Sequence, residues 1–166
     1  MKFFCCMILA IAMTGLASGQ TTKPAIIPTD AKNRKVHPTT RPGEVLDLSI
    51  AELGNFDFDP DAKDPQIPDD VKALSGVMVK LHGYMITLDQ ANNITRFALV
   101  PAWGDDQHPP KIQQTIVVTC PEGKAVKYCP DEIVIQGRLK VGIVKDDGFI
   151  VQAFGVDAAS VKPAAK

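Results

Sequence analysis

Four side chains have chemistry beyond packing: Cys120, Cys129, His108 and Asp106. Two thiolates and an imidazole, with a carboxylate beside them, are donors of the kind that hold zinc or copper. No C-x-x-C or H-x-x-x-H spacing accompanies them, so they name a donor set and not a recognisable metal motif. The cysteines have two other fates, a disulfide or two inert thiols. If the chain turns tightly over Pro121 to Lys124, Cys120 faces Ala125 and Cys129 sits opposite Ile116. The two are then roughly 13 Å apart at about 3.3 Å per residue. A disulfide needs Cα atoms within about 7 Å, so bonding requires a wide loop. All three states stay open at this point.

Catalysis finds less support. Ser75, His108 and Asp106 supply the residue types of a hydrolytic triad, but no strand-to-helix elbow surrounds Ser75. Asp69-Asp70, Asp105-Asp106 and Asp146-Asp147 fall in turns or at a helix start, where Asp is favoured for local hydrogen bonding. Asp57, Asp59 and Asp61 begin like a calcium loop, yet Ala62 stands where that loop requires Gly and Pro68 where it requires Glu. His82 alternates onto the polar face of a strand and needs no further role. The expectation is a protein that is not an enzyme and has no cofactor, zinc or copper being the alternative.

A contact surface is easier to name. The stretch from Pro101 to Gln114 carries Trp103, Asp106, His108, Pro109 and Pro110. A proline-stiffened loop with an aromatic ring has little entropy to lose on binding. The same ring and prolines equally suit a cover over the end of a barrel. Nucleic acid is not an expected partner. From Glu44 onward 18 acidic side chains face 12 basic ones, whereas single strands call for a basic groove with stacking rings.

The elements that must position these residues follow from pattern. The chain has 166 residues and is 45% hydrophobic, enough for one core. Residues 1–19 read as a secretion signal: Met1-Lys2, an apolar run to Leu16, then Ala17-Ser18-Gly19, with a mature start at Gln20. The run is too short to span a bilayer, so no transmembrane span is expected in the mature chain. Cys5 and Cys6 leave with the signal. An exported chain, periplasmic or secreted, meets an oxidising compartment. Residues 20–43 are Pro-rich and basic, with no apolar period, and read as a tether. Residues 44–75 are transitional: Leu46, Leu48, Ile50, Leu53, Phe56 and Phe58 lay apolar groups on the body, and Pro68-Asp69-Asp70 starts a short helix.

Residues 76–158 alternate with period 2. Strands are expected over Val77 to His82, Ile94 to Val100, Thr115 to Thr119, Ala125 to Tyr128, Ile133 to Ile143 and Phe149 to Val156. Gly83 and Gly137 inside two of them signal a sheet bent on itself. The fold class is therefore all-β with one short N-terminal helix: a small oligonucleotide/oligosaccharide-binding (OB)-like barrel of five or six strands, with a β-sandwich as the alternative. Residues 159–166 read as a disordered tail.

Gly76 to Met85 (GVMVKLHGYM), Ile94 to Pro101 (ITRFALVP), the His108-Pro109-Pro110 loop and Glu132 to Val141 (EIVIQGRLKV) resemble a bacterial family of small exported proteins of unknown function. The resemblance runs from Gly76 to Val156. It implies an exported β-barrel-like domain and brings no reaction. Relatives often carry Cys just ahead of the prolines, where this chain has Gly104-Asp105-Asp106-Gln107-His108. Any loop chemistry elsewhere in the family is thus altered or lost here, and His108, Pro110 and Asp106 are the positions that carry over. The resulting expectation is an exported, non-catalytic binding module whose partner is an envelope protein or a small ligand. The alternative is envelope metal handling through Cys120, Cys129 and His108.

Overall fold

The computed structural model describes residues 33–37, 41, 43–88, 92–104 and 109–165. The signal segment 1–19 and most of the tether lie outside them. The elements are β1 (Val45–Leu48), α1 (Ile50–Leu53), α2 (Asp69–Lys72), β2 (Met78–Thr87), β3 (Arg96–Val100), a 3-10 turn (Ile112–Gln114), β4 (Ile116–Thr119), β5 (Ile133–Asp146) and β6 (Phe149–Pro163).

The strands bond in the order β1-β2-β3-β4-β6-β5, and β5 returns to β2. Five strands thus close a ring. All pairs within it are antiparallel except β4 with β6. Closure depends on the length of β2: Met78 to Gly83 pair with β5, and Tyr84 to Thr87 pair with β3. This is the OB-type barrel, and the sandwich is not formed. Period-2 alternation sends Val79, Leu81, Met85, Phe97, Leu99, Ile116, Val118, Ile135, Leu139 and Phe154 inward, each with no exposed surface. A strongly bent sheet needs points where backbones meet. A Cβ on Gly137 would lie 2.3 Å from the Asp157 carbonyl oxygen, and one on Gly83 would lie 2.6 Å from that of Val100. The β-bulge between Gln136 and Gly137 falls at the first of these positions, where it sharpens the bend.

Three expectations are corrected. Ala125 to Tyr128 is not a strand: Val126 makes a single bridge with Ile94, because Pro121 and Pro130 flank a segment too short to find a second partner. The sixth strand is β1, which lies parallel to Met78–Leu81 of β2. The tail expected from residue 159 is strand as far as Pro163. The outer end of β5, Ile133 to Gln136, needs a partner for its backbone, and Ser160 to Pro163 supply it.

The segment expected to be free tether is also anchored where it is described. Arg34 donates both ways to the Asp70 carboxylate, the His37 N–H donates to the same carboxylate at 3.0 Å, and Lys35 reaches Glu52 at 2.8 Å. Among the described residues two single-turn α-helices, not one, precede the barrel. Ser49 caps α1, whose Ile50 and Leu53 enter the core cluster with Phe56, Ile67, Val71 and Leu74.

Candidate binding surface

The loop singled out from the sequence begins as β3 leaves the barrel. Ala102 is buried and Trp103 half-buried, its ring 5.7 Å from that of Tyr84 and tilted by 47°. Trp103 therefore covers the outer wall of β2 while keeping part of its surface open. Pro109 is exposed and Pro110 half-buried. The loop then dives: Gln113 and Gln114 are buried amides beside the close approach of Gly54, whose Cβ would lie 2.0 Å from the Gln113 carbonyl oxygen. Asp106 and His108 lie outside the described residues.

Of the three states left open for the cysteines, the disulfide is not formed; Cys120 and Cys129 are both free thiols. The loop between them is wide, as bonding would require, because Val126 pairs back to Ile94. The Cys120 thiol is instead turned inward onto the Ile94 carbonyl at 3.7 Å. Burial pushes that thiol up, which disfavours the thiolate a metal ligand must be. Among the described residues no three His, Cys, Asp or Glu side chains stand together as a metal site.

Other sequence candidates have local duties. Ser75 Oγ accepts from the Val141 N–H at 3.3 Å. Asp59 Oδ1 accepts from the Asp61 N–H at 3.0 Å, an ordinary turn contact. His82 is half-buried on the outer face of β2, opposite Val134. Asp70 does more than start a helix. Burial by itself would raise its carboxyl, but Arg34 and the His37 N–H outweigh that and hold it below its ordinary 3.8. Burial also holds the His37 imidazole below its ordinary 6.5, against the pull of Asp70.

One surface has no local signal in the sequence. Register places Arg96, Thr119 and Asp157 side by side across β3, β4 and β6. The next outward row is Ala98, Val117, Gly155 and Lys140. Because Gly155 has no side chain, these rows enclose an open hollow of about 300 Å³ that Gln152 also lines. Arg138 faces Asp157 in register but donates instead to the Gly76 carbonyl at 2.7 Å. Lys140 crosses diagonally to Asp157 at 2.7 Å. Arg96, Thr119, Lys140 and Asp157 each read only as a polar position on or just after an alternating strand, and nothing short of the register joins them.

A solved DUF3299 family protein from Pseudomonas aeruginosa is similar to this chain. It is 25% identical with a TM-score of 0.50, over 64% of this chain and 70% of that one. A small single-stranded DNA-binding protein from Streptomyces coelicolor is similar at 19% identity and a TM-score of 0.37, over 54% of this chain and 94% of its own. None of the curated proteins matches. The family match takes in residues 26–163, so it includes the docked segment at Asn33–His37 as well as the whole barrel. On that match the chain belongs to the DUF3299 family, proteins of unknown function.

Proposed function

We propose that the chain is exported and serves as a non-catalytic binding module of the cell envelope, meeting its ligand or partner on the outer wall of the barrel. The observation that carries this reading is the apolar filling of the ring. Among the described residues the buried polar side chains are the amides Gln113 and Gln114, which act as neither nucleophile, acid nor base at neutral pH. The polar groups of the barrel strands stand outside, around the hollow of Arg96 and Lys140 and beside the Tyr84–Trp103 pair. Export rests on the charged start, apolar run and small-residue cleavage site of residues 1–19. No helix among the described residues is long and apolar enough to cross a membrane.

Expression of the full chain, followed by fractionation and N-terminal sequencing, tests the first half. A product that starts at Gln20 outside the cytoplasm supports it, and an uncleaved cytoplasmic product overturns it. Trp103 is the one tryptophan, so its emission reports on the loop beside Tyr84 during titration with envelope saccharides and peptides. A saturable response with the ligand recovered unchanged by mass spectrometry supports a binding module. Turnover of the ligand overturns it.

A further inference from the structure

We propose that the hollow across β3, β4, β6 and β5 binds an acidic saccharide, with Arg96 taking its carboxylate. This rests on the binding-module reading and gives it a site and a ligand class. Neighbouring strands lie about 4.8 Å apart, so the row Arg96, Thr119, Asp157 spans roughly 10 Å, long enough for a disaccharide. The charges in the hollow are not equivalent. Lys140 is held by Asp157, and Arg138 is drawn away to Gly76. Arg96 is exposed, and its guanidinium has no hydrogen-bond or ion-pair partner among the described residues.

A guanidinium presents a planar fork that matches a carboxylate in a bidentate way, which an ammonium does not. Around it the Thr119 hydroxyl, the Gln152 amide and the Asp157 carboxylate offer donors and acceptors for sugar hydroxyls. Val117 gives the floor an aliphatic patch for the apolar face of a ring. None of the lining side chains is aromatic, so the stacking platform that bases require is not provided. Gly155 keeps the floor open: a Cβ there would lie 2.8 Å from Nε2 of Gln152 and 3.7 Å from Cβ of Lys140. An alanine would displace the flexible amide into the space the ligand needs.

Calorimetry of the purified protein with a tri-uronate, the corresponding neutral trisaccharide and a thymidine oligonucleotide tests the proposal. The tri-uronate is expected to bind, and Arg96→Gln to weaken it by about tenfold or more, as for loss of a charge-assisted hydrogen bond. Arg96→Lys is expected to fall between, Gly155→Ala to weaken binding severalfold, and the neutral sugar to bind less well than the acid. Unchanged melting of both Arg96 variants shows that the fold is intact.

Failure of the tri-uronate to bind, or equal binding by Arg96→Gln, overturns the proposal. Tighter binding of the oligonucleotide through Arg96 overturns the saccharide class. Tri-uronate binding that survives Arg96→Gln but is lost in Trp103→Ala overturns the hollow as the site and leaves the binding-module reading standing. No response of Trp103 to any envelope component, with no calorimetric heat, removes both.

Discussion

The barrel and the belt that precedes it, Asn33 to Gly76, are held by different physics. In the barrel every strand of the ring has a partner on both edges for part of its length, and the inward side chains fill one apolar core. Among its described residues the belt has one four-residue strand on β2 and two single-turn α-helices. It reaches the core through seven apolar anchors, Leu48, Ile50, Leu53, Phe56, Ile67, Val71 and Leu74, and ties its leading segment down with charge. Arg34 and Asp70 keep only 17% and 19% of their side chains exposed, whereas Lys35 and Glu52 keep 79% and 50%. A closed ladder fails cooperatively, while a segment held by a few side chains can open alone. The barrel should therefore set global stability, and the leading segment should be separable from it.

The most disruptive way to test this is Phe154→Ala. That ring is fully buried and meets Phe56 of the belt edge-on at 6.3 Å, so its loss is expected to cost about 3–5 kcal/mol in urea unfolding. Barrel and belt probes should shift together, and a loss under about 1 kcal/mol would remove this ring from the centre of the core. Gly137→Ala is next, at about 1–3 kcal/mol, because the new Cβ meets backbone. Gly142→Ala, with nothing within 4 Å of its Cβ, is expected to leave the unfolding midpoint in place. Equal effects at the two glycines would refute close approach as the reason for Gly137.

The belt should respond locally. Asp70→Asn removes the partner of Arg34, a change expected to cost about 1–3 kcal/mol. Hydrogen exchange should accelerate at Asn33–His37 while the β5–β6 amides keep their protection; uniform acceleration would mean that belt and barrel open as one.

Acid sharpens the same contrast. The folded-state pKa of His37 is depressed, so its contribution is present above the unfolded value of 6.5 and is lost as pH falls from there toward the folded value. Asp70 contributes above 3.8 and loses that contribution only as pH falls through its lower folded value. Protection factors at Asn33–His37, taken against the intrinsic exchange rate at each pH, should therefore fall from about pH 6.5 downward, first through His37 and then through Asp70. A His37→Asn variant should lack the first step, and retention of that step would assign it elsewhere. Smallest of all, Lys35→Ala removes a solvent-exposed pair and is expected to leave both melting and exchange unchanged.

Much of the barrel was legible because alternation is a local property. GVMVKLHGYM and EIVIQGRLK state which residues face inward whatever their partners are, and Gly83 and Gly137 mark the bends. Ala125 to Tyr128 misled because four alternating residues look the same whether or not a neighbour exists to complete a ladder. The basic leading segment read as solvated since residues 20–43 set five basic side chains against Asp30 alone; the partner of Arg34, Asp70, lies 36 residues away. The candidate site was legible only in part. Trp103 and Tyr84 meet as an aromatic pair across β2 and the end of β3, but Cys120 turns inward and leaves the proposed donor set.

From its residues alone this chain specifies an all-β body, its inward faces and the family it resembles, because hydrophobic period and turn chemistry act over a few residues at a time. The tertiary structure decided what depends on contacts between distant segments. It set the closure of β5 on β2, the docking of Arg34 on Asp70, the inward turn of the Cys120 thiol onto Ile94, and the row of Arg96, Thr119 and Asp157. Register is fixed by the whole ring closing at once, and only register brings residues from three strands to one hollow.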